Sequence, residues 1–289
     1  MHPAHAVPPD LAAPAMPGVP ATFDHPGDRA EFRQPAHLPG VELYRAHIIR
    51  HAFEPHTHEA YGLGAIEAGV ERFRYRGSDH LAPPGSVVLM NPDELHTGRA
   101  ETEGGWRYRM AYLDPGVVER VTGDSGWWFD AAVGADAARA QRITALLDVL
   151  WRAREPLAFD SALYALLAEF RPHARMDRPA RAEGAPRFAQ VIDYLRAHLS
   201  RRLTLDELAA VAGLSPFHFL RRFQAHYHAT PQQMLMALRL FDAKRRLAAG
   251  EPPAQVALAA GLTDQAHLTR AFSRRYGVTP ARYQKQVRS

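Results

Sequence analysis

"AGLTDQAHLTRAFSRRYGVTP", residues Ala260 to Pro280, follows a near copy of itself, "AGLSPFHFLRRFQAHYHATP", residues Ala212 to Pro231. Each reads as the end of a short helix, a glycine turn and a second helix opened by Ser or Thr, which is the helix-turn-helix plan. Gly213 matches Gly261 and Leu214 matches Leu262; after one inserted residue in the second copy, Phe223 falls on Phe272, Tyr227 on Tyr276 and Pro231 on Pro280. Within each second helix Phe219 and Phe223, or Leu268 and Phe272, stand four apart and share a core-facing side. Residues about 200° away point outward: Phe217 and Arg221 in the first copy, Ala266 and Arg270 in the second. An outward arginine can bond guanine O6 and N7 in the major groove or hold a phosphate, and spacing alone leaves both roles open.

The flanking sequence completes a helical domain. Phe188, Val191, Ile192, Leu195 and Leu199 form one stripe. Thr204 and Glu207 fit a capping box, Gly213 ends that short helix, Ser215 can cap the next, and Pro216 suits its first position. A long helix runs from Pro231 to Ala249 and stops at Gly250; Thr263 is the expected cap in the second copy, and Pro280 opens a last helix after Gly277. The rigid spacer can set the second reading helix about one duplex turn, roughly 34 Å, from the first. From Arg187 onward there are 16 Lys+Arg against 6 Asp+Glu, whereas the preceding residues carry 19 against 25. A basic segment beside a mildly acidic one suits binding to phosphates through counterion release.

The chain has 289 residues, 46% hydrophobic and 23% charged, enough for two cores. With 0 cysteines it has no disulfide or thiolate chemistry, which suits the cytoplasm, and no apolar run reaches the length of a membrane span. Residues 1–30 are proline-rich and read as a disordered tail. From Val41 to about Asp114 short alternating stretches ("VELYRAHII", "YGLGAI", "VERFRYRG", "GSVVLM", "GWRYRMAYL") separated by turn clusters predict an antiparallel β unit, a sandwich or barrel. Two amphipathic helices follow. Ile143, Leu146, Leu147 and Leu150 lie on one face of the first, either ordinary core or the face of a homodimer. Residues 173–186 read as a linker, dividing a β domain with two trailing helices at 31–172 from a basic helical domain at 187–289.

The span from about Arg187 to Lys285 resembles the DNA-binding domain of AraC/XylS-type transcriptional regulators, with Ala260 to Tyr283 close to that family's signature. The resemblance implies seven helices with two helix-turn-helix units. The groove-facing positions correspond to Phe217, Leu220 and Arg221 in the first unit and Gln265, Ala266, His267 and Arg270 in the second. Leu220 and Ala266 depart from the polar residues that many relatives carry there. The β unit resembles the family's cupin-like effector domain, with "EPHTHEAYGLGAIEAG" and "APPGSVVLMNPDELH" as its half-motifs. His56, His58 and His96 match the histidines that hold a divalent cation in metal-binding cupins. The glutamate expected after the second histidine is absent, Gly62 and Leu63 occupying its place, and Glu59 stands too close to substitute. The same histidines suit a metal-free small-molecule pocket, with Tyr61, Trp106 and Tyr108 as aromatic walls. The expectation is therefore no cofactor, a divalent metal being the second reading.

Together these readings predict an α+β protein of two domains, a β sensor with trailing helices and an all-α tandem helix-turn-helix domain. Its expected function is effector-controlled, sequence-specific regulation of transcription, with double-stranded DNA, a small molecule and RNA polymerase as partners and no membrane association. The alternative is a metal-dependent cupin enzyme with an accessory helical domain.

Overall fold

The structure, a computed structural model, describes residues 25–176 and 185–288. Among the described residues ten strands form two antiparallel sheets. The six-stranded sheet has the order β1 (Arg29–Arg33), β2 (Val41–Ile48), β9 (Trp106–Leu113), β4 (Tyr61–Ala68), β7 (Ser86–Met90) and β10 (Val133–Ala135). The four-stranded sheet has the order β3 (Ala52–His56), β8 (His96–Ala100), β5 (Glu71–Tyr75) and β6 (Ser78–Ala82).

Period-two alternation decides what each face of the larger sheet meets. Leu43, Tyr61, Leu63, Ala65, Leu89 and Ala111 turn to the helices α1 (Pro115–Thr122), α2 (Ala137–Arg152) and α3 (Pro156–Phe170), and are buried with them in one core. Tyr44, Ile48, Val88, Trp106, Tyr108 and Met110 occupy the opposite face.

Ile143, Leu147 and Leu150 belong to the helix-facing core at 0%, 3% and 0% exposure, with Leu146 packed against its edge. Of the two readings of this stripe the structure has the core and not the dimer face, because an amphipathic helix lying on a sheet buries its apolar face there first.

Three other expectations shift. Strands β1, β3, β6, β8 and β10 had no clear sequence signal, being five residues or fewer and carrying charges, proline or glycine. Residues 25–30 of the expected tail are packed on the β domain: buried Asp28 accepts hydrogen bonds from the backbone N–H groups of Ile49, Arg50 and His51, and β1 follows it. Residues 1–24 of the expected tail lie outside the described residues, as do 177–184 of the expected linker. The linker's first residues stay with the sensor, since Arg171–His173 form a 3₁₀ turn and Arg175 exchanges backbone hydrogen bonds with Trp128.

The C-terminal part comprises α4 (Ala185–Ala197), α5 (Leu205–Val211), α6 (Pro216–Tyr227), α7 (Pro231–Ala249), α8 (Pro253–Ala259), α9 (Gln265–Tyr276) and α10 (Pro280–Arg288). The Thr204–Glu207 capping box is present, and Thr230 with Gln233 makes a second at the start of α7. Ser215 takes the N-cap position of α6, but its hydroxyl meets His218 Nδ1 at 3.0 Å. Asp264, not Thr263, caps α9, accepting from the His267 N–H at 2.7 Å. A carboxylate one residue nearer the helix is the better acceptor for an unpaired N–H. Gly261 turns at φ +72°, and a Cβ there would sit 2.1 Å from the Leu199 carbonyl oxygen, so the second unit's turn admits only glycine.

Candidate DNA-reading face and effector cavity

In both second helices the apolar stripe is buried and the opposite side is open. Phe219, Phe223, Leu268 and Phe272 are each 0% exposed. Phe217, Arg221, Gln265, Ala266 and Arg270 are exposed, and Leu220 and His267 are half-buried. Phe217, at 71% exposure, is a large apolar side chain left in solvent on a reading helix. Arg222 and Arg274 add exposed cations to the same helices.

The two copies have different surroundings. The first unit closes its own core with Phe188, Val191, Leu195, Leu208, Phe219 and Phe223. The second shares a core with the inner face of the sensor: Leu268, Phe272, Tyr276 and Tyr283 pack in one cluster with Phe32, Tyr44 and Phe53.

Polar contacts reinforce that junction. Buried Lys244 of α7 pairs with buried Glu42 of β2, under the rings of Phe32, Tyr112, Tyr276 and Tyr283, the nearest centroid 4.8 Å away. The Tyr283 hydroxyl donates to Glu42 at 2.8 Å. The Arg275 guanidinium of α9 donates to the Pro55 carbonyl and Phe32 N–H donates to Gln286; the first unit has its own tie to the sensor, Arg196 of α4 bridging Glu59 and Asp93 at 3.3 and 2.9 Å.

Between the sheets lies an inner cavity of about 30 Å³. Its walls include His56, His58, His96, Glu71 and Tyr108 of the sensor, and Arg275 and Tyr276 of α9. His56 and His96 are directly paired across β3 and β8. His58 follows β3 and brings its ring centroid within 5.2 Å of both. Burial, the larger cause, and the positive charge of neighbouring groups push His56 and His58 well below the usual imidazole range; burial pushes His96 down to about 4. All three rings are therefore neutral near pH 7.

Glu71 is buried beside Gly98, where a Cβ would lie 2.9 Å from its carboxylate oxygen, and burial raises its pKa to about 8. Sequence reading passed over Glu71, although it shares parity with the inward Phe73 and Tyr75, a charge at an inward strand position. It also passed over Lys244, which sits four residues after Leu240 on the buried stripe of α7.

Of the expected pocket residues, His56, His58, His96 and Tyr108 line this cavity. Tyr61 lies on the other face of the sheet, its hydroxyl donating to the Trp127 carbonyl at 2.8 Å. Trp106 is fully buried behind Tyr108, stacked on it at 5.4 Å, and does not line the cavity.

A larger cleft of about 1530 Å³ opens where the domains meet and shares Phe32, His58 and Tyr112 with the inner cavity. One side comes from the segment joining β1 to β2 and from the ends of α2 and α3, the other from α7 and α10. Arg29, Arg33, Arg154, Arg245, Arg282 and Arg288 line it, against Glu31, Glu59 and Asp114 beyond the paired Glu42.

This arrangement, a β sensor joined through its inner face to a two-headed helical domain, is that of a ligand-responsive DNA-binding regulator. Residues 38–167 match the family model described as AraC-like ligand binding domain, and residues 208–286 match that of a helix-turn-helix domain. The chain belongs to the AraC-type family of transcriptional regulators. Among its relatives, an uncharacterized HTH-type transcriptional regulator, YbfI of Bacillus subtilis, is 26% identical over 235 residues, covering 79% of this chain and 86% of that protein. The MmsAB operon regulatory protein of Pseudomonas aeruginosa is 28% identical over 244 residues, covering 80% and 74%.

Apo ToxT of Vibrio cholerae superposes with a TM-score of 0.58 at 9% identity, over 86% of this chain and 98% of its own, a likeness of fold. The enzymatic alternative finds no support in these regulators. Among the described residues no helix is long and apolar enough to cross a membrane.

Proposed function

We propose that the protein binds a small-molecule effector in the interdomain cleft and thereby changes how α6 and α9 meet promoter DNA. The observation that carries this reading is that both domains wall the cleft. A ligand touching both stabilises one relative arrangement over others, which is the condition for any effect on DNA affinity. The excess of arginines beside apolar Phe32, Phe159 and Phe241 suits an effector with an anionic group on an apolar body. A ToxT structure is described as bound to an unsaturated fatty acid, a molecule of that chemistry, in a protein of the same fold.

In this reading Arg221, Gln265 and Arg270 contact bases or phosphates, Phe217, Leu220 and Ala266 touch apolar base edges, and His267 supports the start of α9. The site of action is the cytoplasm, and contact with RNA polymerase follows from the activator function named for a Pseudomonas putida relative, 24% identical over 63% of this chain.

Genome-wide mapping of bound sites would supply both the operator and, through neighbouring genes, candidate effectors. The effector should alter operator affinity of the full chain, and Arg282→Glu, at the cleft wall, should abolish that response while preserving DNA binding. An effector that binds the chain yet leaves DNA affinity and transcription unchanged would overturn the proposal.

A further inference from the structure

We infer that His56, His58 and His96 form a binding site for a divalent first-row transition metal ion, in the inner cavity that adjoins the effector cleft at His58. The three rings each place a nitrogen within 4.8 Å of the others, and all three residues are buried. Metal–nitrogen bonds of about 2.05 Å in a tetrahedral shell put ligand nitrogens about 3.3 Å apart, so closing the set needs about 1.5 Å at most.

The ring orientations are already those of ligands. His56 Nδ1 lies 2.8 Å from the Glu54 carbonyl oxygen and His96 Nδ1 lies 3.1 Å from the Glu94 carbonyl oxygen. A carbonyl can only accept, so both Nδ1 atoms carry the proton and both Nε2 atoms keep a free lone pair, the support that metal-bound histidines commonly receive. The third nitrogen, His58 Nε2, is buried with no hydrogen-bond partner. Burying such an atom without a partner is unfavourable, and a metal bond would satisfy it.

Size separates this site from the effector's. A cavity of about 30 Å³ holds an ion with one or two waters, whereas organic ligands occupy roughly 300–1,000 Å³. Imidazole nitrogens favour zinc, nickel, cobalt, copper or ferrous iron over magnesium or calcium, which prefer oxygen. Positions left open on the ion would face a cavity lined by Glu71 and roofed by Tyr276, so a bound metal lies against the helix that carries the second reading head.

The test uses the full chain, purified without a polyhistidine tag, stripped with chelator and titrated with Co²⁺, with visible d–d absorption and elemental analysis as readouts. The chain has 16 histidines, so stoichiometry alone does not locate the site. The expected result is one equivalent per chain, displaced by Zn²⁺, with His58→Gln and His96→Ala each weakening it at least tenfold. Circular dichroism in chelator shows whether these variants keep the fold, and Tyr276→Phe, which leaves the three imidazoles in place, should retain the spectrum. Failure of the wild-type chain to take up either ion at micromolar concentration, or binding undiminished in folded histidine variants, would overturn the inference. Because the readouts involve no DNA or effector, their outcome is independent of the cleft reading.

Discussion

Arg270 is exposed on α9, between the buried Leu268 and Phe272 that fix that helix in place. A guanidinium held by so well anchored a helix can read a guanine edge. Arg270→Ala should cost about 1–3 kcal/mol on the cognate operator and relax preference at one base pair. Fluorescence anisotropy with duplexes substituted at each position measures this, and equal weakening on every sequence would make Arg270 a phosphate contact. Glu71 sets a different expectation, in stability. Its pKa is about 8 in the folded chain against an ordinary 4.5. Below pH 4.5 it is protonated in both states and contributes no difference. As pH rises from there to about 8, unfolding releases its proton, so stability falls by at most about 1.4 kcal/mol per pH unit. Glu71→Gln should therefore be more stable than the parent chain, by a margin that is small at pH 5 and grows to pH 8, in thermal melts run with chelator.

At the scale of elements, the two reading helices share one length and one buried stripe but start differently. The α6 N-cap serine spends its hydroxyl on His218, while α9 is capped by Asp264, which satisfies an unpaired N–H and faces the positive end of the helix. Asp264→Ala should cost about 1 kcal/mol in urea unfolding, with a matching loss of operator affinity as the first turn of α9 frays. Ser215→Ala should cost less, since no side-chain cap is lost. The Phe219–Phe223 and Leu268–Phe272 stripes and the glycine turns were legible in sequence because helix period and turn conformation are local properties. The capping aspartate was missed because Thr263 and Asp264 are adjacent and both are competent caps; only the backbone geometry at the helix start selects between them.

Across the whole molecule, the Lys244–Glu42 pair ties α7 to β2 inside an aromatic enclosure. Removing one partner of a buried pair leaves the other charged in a dry site. Lys244→Met alone should destabilise the chain by about 3–5 kcal/mol, and Lys244→Met with Glu42→Gln should recover most of that loss. A double-mutant cycle in urea measures the coupling, and additive losses would show that the two groups act separately. The same junction gives the second helix-turn-helix unit a hydrophobic core shared with the sensor, whereas the first meets the sensor at its edge, through Leu95 and the Arg196 bridges to Glu59 and Asp93.

The sequence by itself determined the tandem helix-turn-helix plan, the β character of the front half and the charge division, which follow from local periodicity, turn chemistry and composition. Tertiary structure alone decided that the Ile143–Leu150 stripe faces inward, that Tyr61 and Tyr108 lie on opposite faces of one sheet, and that Arg275 and Tyr276 roof a cavity walled by His96 and Glu71. Those pairings join residues far apart in the chain. Which of several apolar faces meets which is a competition for burial among whole elements, and no single segment carries its outcome.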